Sequence, residues 1–273
     1  MDRRRLWRWV RLGWVTLGIT LTVAFVAWSL VAYRAAPEGR AATGSDAAVD
    51  VRHGEGYWSF SPAVRAAAAR PGLVFFPGAL VDPVAYAPLA RAAAVAGFPA
   101  FIVELPRRGT MGGADDSELD ERLDRALAVR GASRPWIAAG HSRGAVVAAR
   151  IASEHRRGLA GLVLIGTTHP RDVDLSALRE PVTKVVGTRD GLARAGAVEA
   201  NRAKLPASTR WVWIDGGNHS QFGWYGFQPG DRRATIAASA QREVMTREVI
   251  AMLARVDSSA VAGASGRAGI RAP

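Results

Sequence analysis

Two regimes of hydrophobic patterning divide the chain. Residues 12–33, LGWVTLGITLTVAFVAWSLVAY, form an apolar run without a formal charge. At about 1.5 Å of rise per residue, a helix of this length crosses a hydrocarbon core about 30 Å thick. The run lacks the polar face of a core helix, and it exceeds the roughly 7–15 apolar residues of a cleavable signal peptide. It predicts an uncleaved transmembrane signal anchor. Trp7, Trp9 and Trp14 at one end, with Trp28 and Tyr33 at the other, suit interfacial belts in which amphipathic rings stay half wet.

Beyond residue 55 the period shortens. Apolar, β-branched or aromatic runs at Tyr57–Phe60, Leu73–Phe76, Ala100–Glu104, Trp136–Ala139, Leu162–Ile165, Val182–Val186 and Trp211–Ile214 predict strands. Between them, 84–95, 118–129, 145–153 and 191–203 predict helices, and 241–256 a final one with Val244, Met245, Val249, Met252, Leu253 and Val256 on one stripe. Asp82 followed by Pro83 is a helix start, a capping carboxylate before a residue with preset φ. This alternation implies an α/β class: a mostly parallel sheet flanked by helices. Residues 34–55 show no usable period and are expected to be a linker, and 257–273, small and polar, a disordered tail. The expected organisation is thus a basic flank 1–11, an anchor 12–33, a linker 34–55, one domain 56–256 and the tail.

Charge first suggests an acidic partner, because Lys and Arg exceed Asp and Glu by 12. Arg3, Arg4, Arg5, Arg8 and Arg11, opposed only by Asp2, supply +4 of that before the apolar run begins. Basic residues are retained on the cytoplasmic side of a span, so the flank predicts a cytoplasmic N-terminus and an extracytoplasmic domain. The remaining basic residues are scattered without aromatic interleaving, so no nucleic-acid partner is expected. The absence of cysteine excludes disulfides, thiolate nucleophiles and cysteine-ligated zinc. The histidines lack metal-ligand spacing and no phosphate-binding glycine loop follows a strand, so neither metal nor cofactor is expected.

Chemistry concentrates in three places. Gly140-His141-Ser142-Arg143-Gly144 lies between a predicted strand and a predicted helix, the setting of a nucleophile elbow, with Ser142 at its tip. A serine hydroxyl needs a base, and the base an orienting acid. In this strand-turn-helix context they follow the serine in the order acid, histidine. His219, just beyond the last strand, fits the base, and Asp190, in Gly187-Thr188-Arg189-Asp190, fits the acid. Asp190 also suits a helix cap. Asp172 and Asp174 come too early, and Asp215 lies too near the histidine. Oxyanion donors are expected from the backbone amides of Arg143 and of Ala79 in Phe76-Pro77-Gly78-Ala79-Leu80, with Leu80 the second choice. His169 and the aromatic loop with Phe222, Trp224 and Tyr225 are expected to border the substrate pocket, while His141 packs the elbow.

FFPGALVDPVAYAPLARAAA from Phe75, GHSRG from Gly140, VVGTRDGL from Val185 and GGNHSQFGWYGFQPGDRRATI from Gly216 together resemble the α/β-hydrolase superfamily. More narrowly, residues 70–255 resemble its compact bacterial fold-5 group of dienelactone-hydrolase-like proteins. The resemblance implies an α/β-hydrolase fold in which Ser142 is nucleophile, Asp190 acid and His219 base. Ala145 departs from it, standing where many relatives have a second glycine. The short connection from Gly166 to Pro181 leaves no room for a large cap domain. The expected activity is a membrane-anchored serine hydrolase, esterase-like, acting on a small acyl substrate through an acyl-enzyme. An acyltransferase on the same triad and a non-catalytic tethered binding protein are the alternatives.

Overall fold

The computed structural model describes residues 3–63, 70–115, 117–131 and 134–268. Helix α1 (Arg3–Ala32) takes up almost the whole apolar run, and only 6% of its most apolar window is buried. That exposure separates it from a core helix. It is long and apolar enough to cross a membrane.

The segment expected to be a linker is instead structured. Helix α2 (Pro37–Ala41) follows α1, and β1 (Val49–Gly54) pairs antiparallel with β2 (Tyr57–Pro62) through a turn whose Gly56 has φ +81°. The signal was weak because only Val49 and Val51 alternate inward there. Val49 is fully buried, whereas Arg52 and His53 face solvent, as an edge strand allows.

The remaining strands are β3 (Gly72–Phe76), β4 (Ala100–Val103), β5 (Trp136–His141), β6 (Leu159–Ile165), β7 (Val182–Gly187) and β8 (Arg210–Ile214). All seven predicted strands are present. The sheet order is β1-β2-β4-β3-β5-β6-β7-β8, antiparallel up to β4 and parallel from there to β8. Alternation along β3 shows why both faces are covered. Leu73 and Phe75 join the core under α3 (Ala87–Val95) and α7 (Ala238–Ala268), whereas Val74 and Phe76 join the one under α4 (Ser117–Arg130) and α5 (Arg143–Ser153).

Three expectations change. The start at Asp82 holds, its Oδ1 accepting from the Val84 amide at 3.1 Å, but the first turn, Pro83–Tyr86, is a 3-10 turn. Of the helix expected over 191–203, only α6 (Ala195–Glu199) and a 3-10 turn at Arg202–Lys204 form. Asp190 captures the Leu192 and Ala193 amides there in a tight turn. The expected tail is helical as far as Ala268, as part of α7, and Arg70 meets Asp257 at 2.9 Å where the tail begins. Residues 269–273 lie outside the described residues.

Candidate active site

Parallel strands put all their C-terminal ends, and the loops that follow, on one side of the sheet. The sharpest of these turns follows β5. Ser142 has φ +53° and ψ −116°, a conformation disfavoured for any residue with a Cβ, and its amide is tied to the Ile165 carbonyl at 2.9 Å. The flanking glycines are required by contact. A Cβ on Gly140 would lie 2.3 Å from the Gly144 backbone, and one on Gly144 would lie 1.9 Å from the Phe76 carbonyl oxygen. Helix α5 can therefore start close against the end of β3, with its positive dipole end under Ser142.

The loop after β7 contributes Asp190 and the loop after β8 contributes His219, both almost fully buried. His219 Nδ1 lies 2.8 Å from Asp190 Oδ2, while Asp190 Oδ1 accepts from the Leu192 and Ala193 amides at 2.8 and 2.6 Å. A carboxylate so held accepts a hydrogen bond from Nδ1–H, which leaves Nε2 as the nitrogen able to take up a proton. His219 Nε2 is buried and has no hydrogen-bond partner among the described residues. Ser142 and His219 share one open cleft of about 220 Å³ with Val146, His169, Leu192 and Ala193. Among the described residues no hydrogen bond joins Ser142 to His219.

The two expected oxyanion amides differ from the second choice. Neither the Ala79 nor the Arg143 amide has a protein acceptor among the described residues. The Leu80 amide donates to the Arg108 carbonyl at 2.8 Å, and this bond removes Leu80 as a donor. The Arg143 guanidinium pairs with Asp115 at 3.0 Å on the surface.

His169 lines the cleft that holds Ser142 and His219. Burial, ahead of the neighbouring Arg171 charge, lowers its pKa and favours the neutral ring. The aromatic loop does not line it. Phe222 is buried against the His141 ring, Tyr225 packs on Tyr33, and Trp224 borders a separate groove under Arg242. The reason is the end of α1. Gly226 donates to the Ala32 carbonyl at 2.9 Å and Ala36 donates to the Trp224 carbonyl at 2.7 Å, so the loop is turned towards the apolar helix and away from the cleft.

Three groups that support the Ser142–His219 cleft were given no such part by sequence reasoning. Asp231 accepts from the amides of Gly191, His219 and Ser220 at 3.0, 3.2 and 2.8 Å and from the Ser220 hydroxyl at 2.7 Å. Gly78 donates to the Tyr86 hydroxyl at 3.2 Å, which in turn bonds His141 Nδ1 at 2.8 Å. Burial and the adjacent His219 hold the His141 pKa well below the ordinary imidazole value, so a neutral His141 accepts a hydrogen bond from the Tyr86 hydroxyl and steadies the Gly78 turn beside Ala79. Lys184 on β7 is buried, donates to the His169 carbonyl, and has its pKa lowered to about 7 by burial against the opposing pull of Asp190. The block around Asp231 was visible as a motif. Pairwise contacts across the sheet were not.

Comparison with known proteins gives the family. The profile of the alpha/beta hydrolase family matches residues 72–243, more than half of the chain. The chain belongs to the α/β-hydrolase family. A comparison with curated protein sequences gives no match. Among solved structures, TT1662 from Thermus thermophilus is similar with TM-score 0.54 and 17% identity, over 76% of this chain and 98% of its own. A soluble variant of monoglyceride lipase from Saccharomyces cerevisiae is similar with TM-score 0.56 and 11% identity, over 79% and 97%. Esterase 2 of Thermogutta terrifontis gives 0.50 and 17%, over 77% and 96%. At these identities the shared property is the α/β-hydrolase fold.

Proposed function

We propose that this α/β-hydrolase family member is a membrane-anchored serine hydrolase of acyl esters, with Ser142 as nucleophile, His219 as base and Asp190 as the acid that orients it. The observation carrying the reading is His219: one ring nitrogen is held by a buried carboxylate, and the other is unpartnered in the cleft that also holds the strained serine. Ser142 Oγ attacks the ester carbonyl and passes its proton to His219 Nε2. The Arg143 amide, at the positive end of α5, and the Ala79 amide, in the loop after β3, receive the charge that develops on the carbonyl oxygen. Collapse breaks the carbon–oxygen bond, and the leaving alcoholate takes the proton from His219. Water then attacks the acyl-serine, with His219 accepting its proton and returning it to Ser142 as the acid is released.

Anchoring rests on α1, whose apolar surface is exposed along the helix. The arginine flank favours a cytoplasmic N-terminus and an extracytoplasmic domain. The full-length protein in vesicles should be labelled covalently by a fluorophosphonate probe, and Ser142→Ala should lose both the label and, by roughly three or more orders of magnitude, ester turnover. Absence of labelling in the folded wild type would sink the reading. External protease on intact cells that left the domain uncut would reverse the topology.

A further inference from the structure

The end of the apolar helix sits on the same side of the sheet as the cleft. Asp82 donates its amide to the Tyr33 carbonyl at 2.9 Å, and Gly226 donates to the Ala32 carbonyl at 2.9 Å. These two partners belong to the loops after β3 and β8, at the C-terminal ends of parallel strands, where Ser142, Asp190 and His219 also lie. Contact is close enough to require glycine, since a Cβ on Gly226 would come within 2.7 Å of the Ala32 oxygen. Tyr33, at the end of the span, is only 4% exposed within the domain. No spacer therefore separates the span from this face, and the headgroup layer of a bilayer is only about 5–8 Å deep.

Exposed apolar side chains are biased to the same face. Outside α1, the exposed large hydrophobic residues among those described are Val95, Met111, Val129, Leu192 and Phe227. Met111, Leu192 and Phe227 lie on the loops after β4, β7 and β8, while Val95 and Val129 end helices that lead into the opposite, N-terminal ends of strands. Leu192 borders the cleft itself, and its side chain reaches to within 3.1 Å of a Cβ position on Gly230, three residues beyond Phe227. Apolar groups on the cleft rim cost free energy in water and are stabilised at a lipid interface.

We infer that the C-terminal face of the sheet lies against the bilayer and that the cleft receives a bilayer-resident acyl lipid laterally, without release of that lipid into water. The substrate class rests on the hydrolase reading above, whereas the orientation of the face does not. The native chain has no cysteine, so single-cysteine labelling is clean. Full-length Phe227→Cys, Met111→Cys, Val95→Cys and Val129→Cys, each carrying a nitroxide in phosphatidylcholine–phosphatidylglycerol vesicles, should split into two pairs. Labels at 227 and 111 should be relaxed by oxygen and shielded from a water-soluble nickel chelate, and labels at 95 and 129 should behave oppositely.

In the same vesicles, a flexible insertion of about 20 Gly/Ser residues between Ala32 and Tyr33 lets the domain drift from the surface. Hydrolysis of a long-chain ester confined to the bilayer should fall roughly tenfold, equivalent to about 1.4 kcal/mol, with turnover of a water-soluble butyrate ester unchanged. Equal nickel access at all four labels, or an insertion without effect on the bilayer ester, overturns the inference while fluorophosphonate labelling and butyrate turnover leave the hydrolase standing. Lipid-shielded labels on a protein that hydrolyses neither ester overturn the substrate class and the hydrolase together, and uphold the orientation.

Discussion

Asp231 bonds the backbone around Asp190 and His219, Lys184 feels the Asp190 charge from beneath His169, and each makes a distinct expectation at the scale of the residue. Asp231 binds one amide on the Asp190 loop and two amides and a hydroxyl on the His219 loop, so it fixes the separation of Asp190 and His219. Asp231→Ala leaves those donors without an acceptor, at a cost of about 1–3 kcal/mol in stability. Ester kcat should fall about 10- to 100-fold with KM little changed, because misplacement by about 1 Å is enough for that loss. Asp231→Asn keeps one acceptor oxygen and should fall between the two; kcat equal to wild type in Asp231→Ala would exclude a positioning role. Lys184 carries a pKa near 7 in the fold against 10.5 when free. Below about pH 7 both states hold the proton; between there and 10.5 the unfolded state holds more, so stability must rise with pH across that window. Chemical denaturation of Lys184→Met from pH 7 to 10 should lack this rise, whose slope is at most about 1.4 kcal/mol per pH unit.

The element on which the proposed chemistry rests is the β5–α5 turn. Its two glycines serve close approach at ordinary backbone angles, while the strain sits on Ser142. Gly144→Ala therefore sets a methyl against the Phe76 carbonyl, and α5 must shift away from β3 to admit it. Thermal unfolding should register a loss of about 1–3 kcal/mol. Fluorophosphonate labelling should slow as well, because Arg143 opens the helix that must shift and the Phe76 and Pro77 carbonyls that a Gly144 methyl would meet lead through Gly78 into Ala79. An unchanged melting temperature would mean that α5 and β3 tolerate separation.

At the scale of the molecule, the end of the apolar helix α1 is docked on the domain. Tyr33, Ala35 and Ser29 are buried, and α2 lies on the Pro83–Tyr86 turn, where Gly39 comes close to the Val84 carbonyl. Alkaline carbonate should leave the full-length chain in the membrane pellet. A chain beginning at Tyr33 should be released and should retain butyrate esterase activity. Recovery of the full-length chain in the carbonate supernatant would indicate a peripheral N-terminus, and recovery of a shortened chain there a cleaved one.

Local patterns in the sequence determined the apolar helix, seven of the eight strands, the mostly parallel α/β class and the residue types Ser142, Asp190 and His219 in their order. They did so because period, turn chemistry and the elbow glycines act over a few residues. Only the tertiary structure decided which groups meet. Edge strand β1 needs β2 to satisfy its backbone, and two inward valines are too weak a pattern to announce it. The segment over 191–203 yields its first amides to Asp190, a competition that helix propensity does not register. Phe222, Trp224 and Tyr225 turn away from the cleft because a helix far earlier in the chain requires their loop. Leu80 loses its amide to Arg108 for the same kind of reason. Hydrogen bonds and packing between residues distant in sequence are set by three-dimensional register, and one chain read alone carries residue types without that register.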